Sequence, residues 1–322
     1  MYDIILDANK RIKGIAHKTP VLTSNKLNQR VGSEVYLKCE NFQKIGAFKF
    51  RGAYNAIGKL VEKGKGKSIL TYSSGNHAQA VALAGRMFNL KTTIIMPMNA
   101  PKSKREAAEN YGAEVITYDP NKVTREALAK NLMEIKDYEL IPPFDNIDII
   151  AGQGTCAKEF IEDYNNLDYL LVPCGGGGLL SGSAISSKNL LPSCKVIGVE
   201  PKLADDAFKS FKSGILHEVH NPPTIADGVR TPFLGLLNFD IIKKYVDDIV
   251  TVSEEDIAQA MYFVWSRMKI IVEPTGALAL SALFCKEYDL FKDKKVGVII
   301  SGGNVDIKSA CEIFSRFIGD SF

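Results

Sequence analysis

The chain has 322 residues, 46% of them hydrophobic and 24% charged, enough apolar material for one large core or two of moderate size and too much for a disordered chain. Forty basic against 37 acidic side chains leave a net charge of +3 with no long run of either sign. This pattern argues against a nucleic-acid binder or a membrane-surface protein, so no nucleic acid and no membrane are expected as partners, and a small molecule is.

No apolar stretch approaches the roughly 20 residues that span a bilayer. The first residues, "MYDIILDANKRIKG", carry charges where a signal peptide has its apolar core, so a cytoplasmic location is expected. The next informative stretch is "GAFKFRGAYNAIGKL", Gly46 to Leu60. Phe50, Tyr54, Ile57 and Val61 fall at i, i+4, i+7 and i+11, one apolar face of a helix, which puts Lys49 at the helix entrance between Phe48 and Phe50. A cation there opposes the helix dipole, and flanking aromatics reduce its hydration; both effects favour the neutral amine that a Schiff base with an aldehyde cofactor requires. The same local sequence also suits a lysine lying along an apolar surface with its head in water.

Beyond it, short β-branched runs each end in a small-residue loop and then a helical pattern. "SILTY" (Ser68 to Tyr72) leads through "SSGNH" to "AQAVALAGRM", "TTIIMP" to "APKSKREAAENYG", and "YLLVP" through "CGGGG" to "LLSGSAISSKNLL". "VIGVEP" leads to "KLADDAFKSF", and "VGVIIS" through "GGN" to a final helix. Near-continuous apolar strands alternating with helices predict an α/β protein with open, mostly parallel sheets flanked by helices, in which ligands bind beyond the carboxyl ends of the strands. "IPPFDNID", Ile141 to Asp148, is the expected crossing between a large domain of residues 1–59 and 147–322 and a small inserted domain of residues 60–146.

The tetraglycine Gly175 to Gly178, between a strand and a helix, exposes successive backbone amides at a helix N-terminus, an arrangement suited to a phosphate. A tight turn with close helix packing would need one or two glycines rather than four. Two nucleotide motifs fail. G-x-G-x-x-G breaks in every register at Leu179, Leu180 or Ser181, and "GKS" at Gly66 to Ser68 has Val61 where a Walker loop needs its first glycine. Six scattered cysteines contain no C-x-x-C pair, against a disulfide framework or a structural zinc site, and "HEVH" (His217 to His220) is one residue short of the zinc motif H-E-x-x-H.

Together these pieces resemble the fold-type II pyridoxal-phosphate enzymes (tryptophan synthase β-like), and within them the serine racemase and serine/threonine dehydratase group. The resemblance runs from "HKTPVLTS" (His17 to Ser24) to "SGGNVD" (Ser301 to Asp306). "GAFKFRGA" is similar to the family's cofactor-lysine motif, "SSGNHAQ" to its substrate and ring loop, "AGQGT" (ending Gly152 to Thr155) to an associated loop, "GGGGL" to its phosphate cup and "SGGN" to its ring-nitrogen loop. The resemblance implies that Lys49, beside Phe48, carries the cofactor and moves the substrate's Cα proton. It implies that Gly175, Gly176, Gly177 and Gly178 with the Leu179 amide hold the phosphate, that Asn76 bonds the ring hydroxyl and that Ser301 meets the pyridine nitrogen. A neutral hydroxyl at Ser301 makes the ring a weaker electron sink than a carboxylate would. Ser73, Ser74, Asn76 and His77 would hold the substrate carboxylate, although Ser73 and His77 also suit ordinary turn and helix capping.

Ser74 bears on reaction type. The resemblance implies a serine on the face opposite Lys49, and two acid/base groups on opposite faces of a planar carbanion permit racemisation where one permits only elimination or exchange. A plain N-cap serine is the alternative. "VEPKLADDA" is similar to the divalent-metal site of serine racemases, with Glu200, the Ala204 carbonyl and Asp206 around Mg²⁺, Ca²⁺ or Mn²⁺; the alternative is a solvated acidic helix start. Phe144 is closer to threonine dehydratases. The chain stops soon after the last loop, which argues against a C-terminal regulatory domain, and Gln79 and Lys269 fall where mammalian racemases contact ATP, two residues that do not by themselves support nucleotide activation. The resemblance implies a homodimer.

The expectation is therefore a pyridoxal-phosphate serine racemase with serine/threonine dehydratase (ammonia-lyase) activity. Its alternatives are a catabolic-type threonine dehydratase, a threo-3-hydroxyaspartate ammonia-lyase or, from another class, a non-catalytic phosphate-metabolite sensor. A nucleotide-dependent oxidoreductase is disfavoured by the failed glycine spacing.

Overall fold

The computed structural model describes residues 1–65, 68–100, 102–285 and 287–317; Gly66 and Lys67 of the "GKS" stretch lie outside them. The first segment forms α1 (Tyr2–Ile12), β1 (Val21–Leu22), α2 (Asn25–Val31), β2 (Glu34–Cys39) and α3 (Lys49–Glu62). There follow β3 (Ser68–Tyr72), α4 (Asn76–Met87), β4 (Lys91–Pro97), α5 (Lys102–Asn110), β5 (Glu114–Tyr118), α6 (Arg125–Ile135) and β6 (Glu139–Leu140). The chain continues through α7 (Ile147–Asp163), β7 (Tyr169–Pro173), α8 (Gly178–Leu190), β8 (Lys195–Pro201), α9 (Asp206–Ser213), α10 (Leu236–Tyr245) and β9 (Asp248–Val252). It ends with α11 (Glu254–Phe263), α12 (Pro274–Ser281), β10 (Lys295–Ile300) and α13 (Ile307–Phe317).

Among the described residues the strands make two sheets. One has six strands in the order β1-β2-β10-β7-β8-β9, parallel except for β1, which runs antiparallel to β2 with Val21 opposite Lys38. The other has four parallel strands in the order β5-β4-β3-β6 and is drawn entirely from residues 68–140. Strands β7 and β10 are buried almost throughout, as strands covered on both faces must be. The chain passes to the four-stranded sheet along α3 and returns along residues 141–146, the proline-rich stretch read as a crossing.

Two local expectations are corrected. "AGQGT" is not a loop: Gly152 to Thr155 lie inside α7. A glycine inside a helix costs roughly 1 kcal/mol against alanine, and here close packing demands it. A Cβ on Gly152 would lie 2.6 Å from the Arg51 carbonyl oxygen of α3, and one on Gly154 would lie 2.8 Å from the Gly182 carbonyl oxygen of α8. The second concerns α3, where Phe50, Tyr54 and Ile57 are buried as the periodicity predicts, but Val61, in the last turn at the helix's C-terminal end, is 38% exposed.

Candidate active site

The loops that follow β3, β7 and β10 meet the returning segment 141–146 around one cavity of about 400 Å³. Phe48, Lys49, Ser73, Ser74, Asn76, His77, Gly175, Gly176, Gly177, Gly178, Leu179 and Ser301, dispersed over 250 residues of sequence, all line it. Glu200, Ala204 and Asp206 do not; they form a separate cluster.

Lys49 is the first residue of α3. Its Nζ donates to the Pro143 carbonyl oxygen at 2.8 Å and stands 5.2 Å from the centre of the Phe48 ring. Among the described residues it makes no ion pair with a carboxylate. The surrounding protein withdraws it from bulk water and pushes its ammonium down to about 8. The amine is thus available in neutral form near physiological pH, as nucleophilic attack on an aldehyde needs.

The tetraglycine links β7 to α8. Gly177 occupies the N-cap of α8 at φ +92°, a conformation a side chain would strain, and no side chain caps the helix there. Phe144 from the returning segment is laid against Gly176, where a Cβ would lie 2.3 Å from the ring's Cγ. Backbone amides at an uncapped helix start, facing a cavity with an amine of lowered pKa, fit a phosphate-bearing aldehyde. Pyridoxal phosphate is such a compound.

The remaining walls come from the other two loops. Ser73 Oγ accepts the Gly75 amide at 3.2 Å, the turn role its sequence allowed. Gly75, not Ser74, is the N-cap of α4, so Ser74 lines the cavity without the capping duty that was its alternative. His77 is buried, its Nε2 donates to the Ile141 carbonyl oxygen at 3.1 Å, and burial followed by repulsion from Lys49 pushes its pKa down to about 3. It is therefore a neutral imidazole and offers no positive charge to a carboxylate. Ser301 is buried and its Oγ donates to the Thr275 carbonyl oxygen at 3.2 Å, while its own carbonyl accepts the Phe48 amide at 3.0 Å and so ties the last loop to the segment that carries Lys49.

Residues that sequence reasoning missed also line the cavity. Arg125 opens α6 with its guanidinium 5.2 Å from the Tyr72 ring centre, and Lys104 on α5 pairs with Asp227. Glu273 precedes α12, and burial raises its carboxyl to about 8. No local motif marks any of the three; only the fold brings them to the site.

The acidic cluster lies where β8 turns into α9. Glu200, Ala204 and Asp206 are each 1% exposed. Glu200 accepts the amides of Ala207 (3.2 Å) and Phe208 (2.7 Å), whereas Asp206 Oδ2 is buried without a hydrogen-bond partner. Burial, then repulsion from Asp206, raises Glu200 well above the usual carboxylate range, and burial raises Asp206 to about 7. Two buried carboxyls short of positive charge form a donor set suited to a hard cation, and they are not the solvated acidic turn that was the alternative. Among the described residues no group of three or more His, Cys, Asp or Glu side chains is arranged to hold a metal. A second cavity, of about 1020 Å³, is lined by Gln79 but not by Lys269. All six cysteines are free thiols, five of them buried, and among the described residues no helix is long and apolar enough to cross a membrane.

The sequence profile of the pyridoxal-phosphate dependent enzymes matches residues 12–302. The chain is 48% identical over 314 residues to an L-threo-3-hydroxyaspartate ammonia-lyase of Saccharomyces cerevisiae, covering 98% of this chain and 96% of that protein. It is 49% identical over 315 residues to a serine racemase of Schizosaccharomyces pombe, covering 98% and 97%. The crystal structure of serine racemase from Dictyostelium discoideum superposes with a TM-score of 0.90 at 46% identity, over 95% of this chain and 99% of that one. Near-equal identity to a racemase and to a lyase means that overall likeness does not separate the two activities.

Proposed function

The chain belongs to the family of pyridoxal-phosphate dependent enzymes, and from that premise we propose that it is a serine racemase with serine/threonine dehydratase activity. The carrying observation is that Lys49, a half-buried amine with no carboxylate partner among the described residues, shares one cavity with Ser74 and the tetraglycine. In this reading the amides of Gly175 to Gly178 and Leu179 hold the phosphate, Asn76 bonds the ring hydroxyl and Ser301 meets the ring nitrogen. The cofactor, when bound, supplies the electron sink that makes a substrate Cα proton removable. Lys49 takes that proton. Ser73, Ser74 and Asn76 orient the substrate carboxylate with the backbone of their loop; neutral His77 adds no charge. A proton returned by Ser74 to the other face gives D-serine; where the β-hydroxyl departs instead, the dehydrated product hydrolyses to pyruvate and ammonia.

The test is incubation of cofactor-loaded protein with L-serine and magnesium, with D-serine and pyruvate quantified in one sample. Appreciable D-serine supports two-faced proton transfer, and Ser74→Ala is then expected to cut racemisation by about 10²-fold or more while elimination falls far less. Equal losses would remove Ser74 from the second acid/base role. Pyruvate alone makes the protein a dehydratase, and neither product leaves the phosphate-metabolite sensor.

Arg125 favours a second reading. A guanidinium in the cavity is suited to a second substrate carboxylate, as in threo-3-hydroxyaspartate, and has no such use for serine or threonine. A kcat/KM for 3-hydroxyaspartate well above those for serine and threonine would establish the ammonia-lyase reading; a preference for serine would dismiss it. Magnesium at Glu200, the Ala204 carbonyl and Asp206, a homodimeric state, a cytoplasmic location and the division into domains of residues 1–59 with 147–322 and 60–146 complete the proposal.

A further inference from the structure

Three segments meet at the Asn76 amide. Its Oδ1 accepts from Asn304 Nδ2 at 2.9 Å, and its Nδ2 donates to Glu273 Oε1 at 2.7 Å. Asn304 Nδ2 also donates to the Ile45 carbonyl oxygen at 2.6 Å, which fixes its own orientation. An amide nitrogen carries two N–H groups. With one given to Glu273 and the oxygen given to Asn304, the second N–H is what Asn76 has left to offer the cavity it lines.

Glu273 is 4% exposed and forms no ion pair among the described residues. Its carboxyl fits because position 302 is glycine: a Cβ on Gly302 would lie 2.3 Å from Glu273 Oε1. A buried carboxyl beside a cofactor cavity, with space reserved for it in a neighbouring loop, is costly unless it has a function there.

We propose that Glu273 is a positioning residue that aims the second N–H of Asn76 at the ring oxygen of the bound cofactor. This rests on the reading above in which Asn76 meets that oxygen. The groups acting on Glu273 are Asp227, which with burial raises its pKa, and Lys104, the Asn76 side chain and the Asn304 backbone amide, which lower it. The outcome is a carboxyl neutral up to about 8. Above that pH it becomes an anion, draws the shared Asn76 nitrogen more strongly and weakens the second N–H as a donor, while adding negative charge near the ring oxygen.

The test uses the cofactor-loaded enzyme, with Glu273→Gln and Glu273→Ala as variants. The readouts are the cofactor's visible absorption band as a function of pH and the fraction of cofactor retained on dialysis. The parent is expected to show a spectral transition near pH 8. Glu273→Gln, which still accepts from Asn76 but does not titrate, is expected to lose the transition and keep the cofactor. Glu273→Ala is expected to lose the transition and to retain the cofactor several-fold less well, by the loss of one buried hydrogen bond. A transition unchanged in Glu273→Gln overturns the proposal while leaving the functional reading intact. A parent that forms no cofactor band overturns both.

Discussion

Lys49 and Arg51 are two residues apart at the start of one helix, and the protein treats their charges oppositely. Lys49 lines the cavity with a carbonyl and an aromatic ring for company, and burial drives it toward the neutral amine. Arg51 is 0% exposed and clasped by carboxylates: its Nε and Nη2 donate to Glu40 at 2.8 and 2.9 Å, its Nη1 and Nη2 donate to Glu159 at 2.8 Å each, and Lys38 donates to Glu159 at 3.0 Å. Burial pushes the Glu40 carboxyl up, but the guanidinium overrides it and holds the group below the usual carboxylate range. Burial alone therefore does not decide whether a cation survives inside this protein; the partner does. One turn of helix holds both a reactive amine and the ion cluster that joins α3 to β2 and α7.

The largest expected effect comes from removing the lone cation. In Lys49→Ala the cofactor's absorption band is lost and racemisation and elimination both fall by about 10³-fold or more. Urea unfolding of the cofactor-free variant is little easier than for the parent, because only a neutral carbonyl loses its donor and no carboxylate is left without a countercharge. Covalent retention of the cofactor by this variant would sink the assignment.

Arg51→Met is the converse. It leaves Glu40 buried without its countercharge and should cost about 3–5 kcal/mol in urea unfolding, with an unchanged denaturant slope. A loss under about 1 kcal/mol would mean that the cluster is replaceable packing.

The acid pair Glu200 and Asp206 is the mirror image of Lys49, buried charge short of the opposite sign. Between 3.8 and about 7 the native state holds the Asp206 proton more tightly than the unfolded chain does, so this group makes stability fall as pH rises through that window. In the proposed site magnesium would bind the ionised form. Its effect on Tm should therefore be a gain of a few degrees that grows with pH and vanishes in Asp206→Ala; a Tm indifferent to magnesium and to chelator at every pH would count against the site. The smallest effect belongs to a pair outside. Lys18 and Asp163 lie 2.7 Å apart but 65% and 36% exposed, and Lys18→Ala should change stability by no more than about 0.5 kcal/mol. A larger loss would show that partnership matters even in water.

Much of this was legible in the chain. The parallel α/β class followed from apolar runs alternating with helical patterns, because strands covered on both faces leave no polar alternation. Lys49 and the tetraglycine were legible as candidates because each needs an unusual local sequence, and the order of the motifs pointed to the family. "AGQGT" misled, since glycines that admit a neighbouring helix look in one dimension like glycines that make a loop.

Local sequence and its periodicities thus determined the elements, the helix entrance at Lys49 and the tetraglycine turn, because those depend on residues close together in the chain. Only the tertiary structure decided what faces the cavity from afar. Arg125, Lys104 and Glu273 reach it through packing of separate elements, and the lowered pKa of Lys49 and the neutral states of His77 and Glu273 come from burial by residues distant in sequence. A side chain's charge depends on the medium and partners around it, and these exist only once the chain has folded.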